Sequence, residues 1–200
     1  MSVYYFNGAQ ILAPFTIISN EPVYEVDTVS LKKQRANQDV QRWELSFNTI
    51  GTTETQVDIF LGSAADNHTV QTMIMPQLPE VAAKTTISSS SFSLAAPVSA
   101  GATTMLIAAG NNVGLLPKGS FFKFSNHDKI YITTSDVILS GTSTVGFYPK
   151  LRKDVNNSHT IRCRELATFS FYRDINNQTG ITFSDGVLSN AGTISVIEAL

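Results

Sequence analysis

The sequence predicts a mainly β protein, a β-sandwich with one short helix that is interrupted by an inserted small β-barrel. Three observations lead there. Most apolar segments alternate with period two, the signature of half-buried strands. A single segment shows persuasive helical spacing. The charge changes sign twice along the chain: residues 1–85 carry 5 basic and 9 acidic side chains (−4), residues 86–164 carry 8 and 3 (+5), and residues 165–200 carry 1 and 4 (−3). A basic middle between acidic ends predicts an insertion at 86–164, with 1–85 and 165–200 folding together around it. The left boundary falls in Pro76-Gln77-Leu78-Pro79-Glu80 and the Ser88–Ser91 tract, which read as a linker.

Taken in order, Trp43, Leu45 and Phe47 alternate with Arg42, Glu44, Ser46 and Asn48 as one strand. Val57, Phe60, Leu61 and Ala64 fall at helical spacing, and Thr53 with Gln56 has capping-box spacing, so a helix is expected over Thr53–Ala65 with those four residues on its buried face. A strand from Thr69 to Met75 follows. Ser120–Ser125 and Lys129–Thr133 flank Asn126-His127-Asp128 and predict a hairpin. Strands are expected at Thr144–Tyr148, Thr160–Arg164, Thr168–Tyr172 and Thr193–Ile197, with turns at Asp185-Gly186 and Asn190-Ala191-Gly192.

Composition excludes several classes. Hydrophobic residues are 42% and charged residues 15% of the 200, which argues against disorder. A net charge of −2 gives no electrostatic footprint for nucleic acid. The lone Cys163 permits no intrachain disulfide and no zinc knuckle. The longest fully apolar run, Met105–Ala109, is too short for a membrane helix, and the first basic residue, Lys32, comes too late for a signal peptide. A protein made in the cytoplasm is expected. Sequons at Asn67, Asn156 and Asn177 are what chance gives in a chain so rich in Asn, Ser and Thr.

Catalytic chemistry is sparsely signalled. There is no Gly-x-Ser-x-Gly elbow, no phosphate-binding glycine loop, and no pairing of His68, His127 and His159 at metal-site spacing. No cofactor, metal or catalytic residue is expected. His127 reads as a turn residue bonded to its neighbours, and His68 as a solvated loop residue. The cluster Lys150, Arg152, Lys153, Arg162 and Arg164 lies near Phe147 and Tyr148, a combination that small barrels use to hold single strands. Phe121, Phe124 and Tyr131 read instead as barrel core, and Lys150–Lys153 as a solvated loop or a face toward an acidic partner.

The stretch Leu116-Pro117-Lys118-Gly119-Ser120-Phe121-Phe122-Lys123-Phe124-Ser125-Asn126-His127-Asp128-Lys129-Ile130-Tyr131 resembles a pattern of bacteriophage tail-tip proteins: a Lys-Gly-Ser step leads one strand, and a His-x-Lys-Ile-Tyr turn leads the next. It is most similar to the distal tail protein (Dit) family of long-tailed phages, in the variant with an oligonucleotide-binding-fold-like (OB-like) insertion. The likeness continues at Phe147-Tyr148-Pro149-Lys150-Leu151 and in the last strand, Gly192–Leu200. Lys118, Phe124, His127, Lys129, Tyr131, Tyr148 and Pro149 carry the insertion motif. Related tail and baseplate proteins share it.

The resemblance implies a structural virion protein without enzymatic activity. Such proteins form a ring, usually of six copies, that joins the tail tube to the baseplate hub, with the inserted barrel on its outside. The implied partners are further copies of the chain, the tail tube protein and a hub or tail-tip protein, with no membrane and no specific nucleic acid. Candidate ring contacts are Tyr4, Tyr5 and Phe6 within Val3–Phe6, and the stretch Val23–Gln41, which includes Lys32, Lys33 and Arg35. Tyr4 and Phe6 read equally well as core. Two other classes stay open: a carbohydrate- or receptor-binding module with a shallow aromatic platform on the insertion, and a hydrolase in which a histidine meets a carboxylate.

Overall fold

A computed structural model describes residues 4–27, 33–37, 40–65, 68–174, 180, 182–184, 187–190 and 192–200. The expected turn at Asp185-Gly186, residue Ala191 of the next turn, the sequon at Asn177, Asn67 of another, Val3 and Lys32 lie outside the described residues.

The chain opens with β1 (Tyr5–Phe6), β2 (Ala9–Asn20), the pair β3 (Val23–Asp27) and β4 (Lys33–Asn37), and β5 (Arg42–Ile50). Helix α1 (Thr53–Ala65), β6 (Gln71–Ile74) and α2 (Pro79–Lys84) follow. Next come β7 (Ser91–Leu94), β8 (Thr104–Leu116), β9 (Phe121–Phe124), β10 (Ile130–Thr133), β11 (Val137–Tyr148) and β12 (Thr160–Cys163). After a 3₁₀ turn at Arg164–Leu166, the chain ends with β13 (Thr168–Arg173), β14 (Thr182–Ser184), β15 (Val187–Asn190) and β16 (Ile194–Glu198).

The protein is mainly β and contains a closed barrel. Strands β7 to β12 close in the order β10-β11-β8-β7-β12-β9, and a separate six-stranded sheet runs β1-β2-β5-β16-β13-β6. Every neighbouring pair is antiparallel. The sheet therefore draws on chain from both sides of the barrel segment. Asn7 and Gly8, both at positive φ, make the tight turn between β1 and β2. The hairpin expected around Asn126–Asp128 is β9 paired with β10.

Two cores result. Phe92, Ile107, Phe122, Phe124, Tyr131, Phe147 and Ile161 fill the barrel. Phe6, Trp43, Leu45, Phe47, Ile59, Phe169, Phe171 and Val196 fill the space over the sheet, and two barrel residues, Phe121 and Ile130, belong to this second core. The reason is the pleat: successive side chains point to opposite faces, so Phe122 and Phe124 enter the barrel while Phe121 leaves it toward the sheet. All four residues of β9 are buried, as a wall shared by two cores requires.

Three expectations need correction. Helix α1 forms where expected, yet its buried residues are Gln56 and Ile59; Val57 and Phe60 are half-buried and Leu61 is exposed. The side chain of Ala64 lies outside the description. Thr52, not Thr53, caps the helix: its Oγ1 accepts from Thr55 N at 3.4 Å and its carbonyl from Gln56 N at 3.1 Å. Arg173 fixes the rotation, donating from Nη1 to Ile59 O at 2.8 Å while lying 5.2 Å from the Phe6 ring centroid. The segment read as linker also holds a second helix, α2, because Pro79 occupies its first turn, where a missing N–H costs nothing. Beyond it, Gly114 of β8 lets residues 86–87 lie against the barrel; a Cβ there would stand 2.6 Å from Thr86 O.

Candidate functional site at the barrel–sheet joint

Barrel and sheet meet along the outer face of β9 and β10, where the motif residues Lys129 and Tyr148 lie. The centre is an ion pair between Lys129, leading into β10, and Glu198, at the end of β16; both side chains are almost fully buried. Lys129 Nζ donates to Glu198 Oε2, to Gln41 Oε1 and, at 2.9 Å, to Gln41 O, which uses all three ammonium hydrogens. Glu198 also accepts from Ile130 N on Oε1 at 2.8 Å and from Trp43 N on Oε2 at 3.0 Å. Trp43 completes the loop, its indole donating to Ile130 O at 2.8 Å. One carboxylate thus ties β5, β10 and β16 together.

Aromatic packing surrounds the pair. Trp43 makes edge contacts with Phe121 (5.7 Å between centroids) and Tyr148 (6.1 Å), and Lys129 Nζ lies 6.0 Å from the Trp43 ring. The Tyr148 hydroxyl accepts from Ser19 Oγ at 2.7 Å and donates to Glu21. The side-chain amide of Gln77 pairs with the backbone of β9, its Oε1 accepting from Phe121 N at 3.0 Å and its Nε2 donating to Phe121 O at 3.2 Å. Buried Lys123 donates to Asp128 at 2.8 Å and to Thr168 Oγ1 of β13 at 3.2 Å.

The charges respond to this burial. Desolvation holds the Glu198 carboxyl above its ordinary range, with Lys129 and the two backbone N–H groups opposing. Desolvation likewise lowers the Lys129 ammonium, with Glu198 opposing. The hydrogen bond from Lys123 holds Asp128 below the usual carboxylate range.

The remaining motif residues divide by position. Phe124 and Tyr131 are barrel core, and Pro149 is buried beside the joint. Half-buried His127 stacks on Phe124, with Nδ1 at 2.6 Å from Asn126 Oδ1 and Nε2 at 2.8 Å from the Tyr131 hydroxyl. Neither nitrogen meets a carboxylate. Its pKa falls to about 4 through burial and the cations Lys153 and Arg152. Exposed Lys118 donates its backbone N–H to Asp136 Oδ1 at 2.6 Å. Of the proposed ring contacts, Phe6 is sheet core, Tyr4 is half-buried against that core, and Tyr5 is exposed at 60%. Tyr5 borders a cavity of about 300 Å³ lined also by Tyr4, Ile74, Leu116 and Phe121. Cys163 lies in its wall, and burial pushes its thiol up to about 12, which leaves no thiolate at neutral pH.

Glu198, Trp43, Gln41 and Gln77 carry the joint without having been singled out in the sequence as site residues. A signal existed for Glu198: the alternation of Ile194 and Val196 places it on the buried face. Among the described residues, no group of three or more His, Cys, Asp or Glu side chains is placed to hold a metal ion. No helix among them is long and apolar enough to cross a membrane. The chain matches no protein-family model and no curated protein.

Proposed function

We propose that the chain is a structural protein of a bacteriophage tail, a subunit of a six-membered ring at the distal tip that joins the tail tube to the baseplate hub. The sheet would form the ring, and the barrel, OB-like in this reading, would decorate it. The protein would be made in the host cytoplasm and end in the virion, with no catalytic role. The observation that carries the reading is the joint. Motif residues Lys129 and Tyr148, with their neighbours Phe121 and Ile130, serve to lock one β body onto another through buried groups whose hydrogen bonds are satisfied. Rigid attachment of an accessory barrel is what an assembly protein needs; turnover needs an open site with unspent polar groups.

A glycan-binding barrel is less well supported. All aromatic residues within 86–164 are buried except Tyr148, which is half-buried and faces the sheet, so the barrel lacks an exposed stacking platform.

Light scattering of the purified chain over a range of concentrations tests the ring. A discrete species near six times 21.7 kDa is expected. A species of 21.7 kDa at every concentration would contradict a self-closing ring and turn attention to a binding module.

A further inference from the structure

Where the joint opens to solvent, two adjoining depressions of about 390 and 300 Å³ share Lys129, Arg152 and Leu200 in their walls. One extends past Val40 and Lys150, the other past His127 and Lys153. The cations here differ in their commitments. Lys129 is spent on Glu198, and the acid in the groove, Asp128, is spent on Lys123. Arg152 and Lys153 are exposed and have no ion-pair partner among the described residues. The loop that carries them is anchored. Leu151 is buried and exchanges backbone bonds with Ala102 and Gly101 at 2.8 and 2.7 Å, while Arg152 N donates to the Tyr131 hydroxyl at 3.1 Å. The cationic side chains therefore project from a fixed base, which lowers the ordering cost of binding.

Two features select among anions. The barrel rings Phe124, Tyr131 and Phe147 are buried, and the half-buried rings His127 and Tyr148 already pack on Phe124 and Trp43, which leaves a nucleobase or a sugar no open stacking platform. Val40 and Leu200 are exposed at 53% and 50% beside the cations, an aliphatic strip that a nucleic acid would not use. A guanidinium fork next to an ammonium suits carboxylates.

The geometry points to this groove as the docking site for an acidic polypeptide segment of a partner protein, its carboxylates on Arg152 and Lys153 and an aliphatic side chain on Val40 and Leu200. The inference goes beyond the ring reading and does not depend on it. The groove also contains its own reporter. The groups around the His127 imidazole are Asn126, Tyr131, Phe124, Asp128, Lys123, Arg152 and Lys153, of which the last two hold its charge down from across the groove. Carboxylates bound to those cations relieve that repulsion, so occupancy raises the His127 pKa.

The test uses the full chain with poly-L-glutamate and, separately, oligothymidylate of matched charge, reading affinity by anisotropy and the His127 titration by NMR. Poly-L-glutamate is expected to bind in a salt-dependent way and to move the His127 midpoint up from about 4. Arg152→Gln with Lys153→Gln should weaken binding about tenfold or more, while Lys118→Gln should leave it unchanged. Trp43 fluorescence checks that each variant is folded. Any of three results overturns the proposal: oligothymidylate binding as tightly as poly-L-glutamate, the double variant binding normally, or poly-L-glutamate binding or failing to bind with the His127 titration unmoved.

Discussion

Lys129 has all three N–H groups, and Glu198 both carboxylate oxygens, engaged inside the protein, so removing one strands the other. Lys129→Met is expected to cost about 3–5 kcal/mol at pH 7, the usual penalty for an uncompensated buried charge. The pH dependence identifies the cause. Glu198 has a folded-state pKa above its unfolded value, so the folded chain holds that proton more tightly and stability grows as pH falls through this range. Without Lys129 the carboxyl rises further, and the variant's deficit should shrink between pH 7 and pH 5 in urea titrations. An equal deficit at both pH values would show that the lost term is packing rather than charge. The sequence made half of this pair visible. An acid in register with Ile194 and Val196 is an anomaly on a buried face, but its partner lies 69 residues away and no local pattern connects them.

At the scale of elements, periodicity located α1 and misjudged its rotation. The spacing of Val57, Phe60 and Leu61 is helical, yet the sheet takes up Ile59, because Arg173 clasps the helix at that carbonyl and the core space lies beneath it. Ile59→Ala should therefore cost about 2–5 kcal/mol, and Leu61→Ala less than about 0.5 kcal/mol; equilibrium denaturation of the two variants distinguishes the faces. Comparable losses would restore the face that spacing alone suggests. The pairing of β8 with β11 was harder to see. In Met105–Ala109 the buried residues are Met105, Ile107 and Ala109, while Leu106 is exposed, so an apolar residue on the outer face hides the alternation. α2 was hidden because Pro76 and Pro79 read together as linker residues, whereas the fixed φ of Pro79 suits the first turn of a helix. The hairpin of β9 and β10 was legible because aromatic and β-branched runs flank turn-forming residues.

At the scale of the molecule, the only tryptophan stands between the two bodies. Trp43 fluorescence therefore reports the joint, whereas far-UV circular dichroism reports the strands of both bodies. Because Phe121 and Ile130 belong to the sheet core, the two transitions in denaturant should coincide. A fluorescence midpoint well below the dichroism midpoint would mean that the bodies part before they unfold. The barrel strands run from Ser91 to Cys163 and the sheet strands lie on either side, but the charge pattern of the sequence carried no trace of how the two adhere, since adhesion rests on side chains scattered over β5, β9, β10 and β16. The chain leaves the sheet and returns to it at neighbouring points: Met75 N bonds Ala167 O at 2.8 Å, and Cys163 N bonds Ser90 O at 2.9 Å. Topologically the barrel could be cut out and the ends rejoined with a short splice. Physically such a deletion would strip Trp43 of its cover and leave the Glu198 carboxylate without a cation. Cutting the barrel out in one step would thus bare to water the apolar patch around the Trp43 ring, so the sheet alone would need polar substitutions there to stay unassociated.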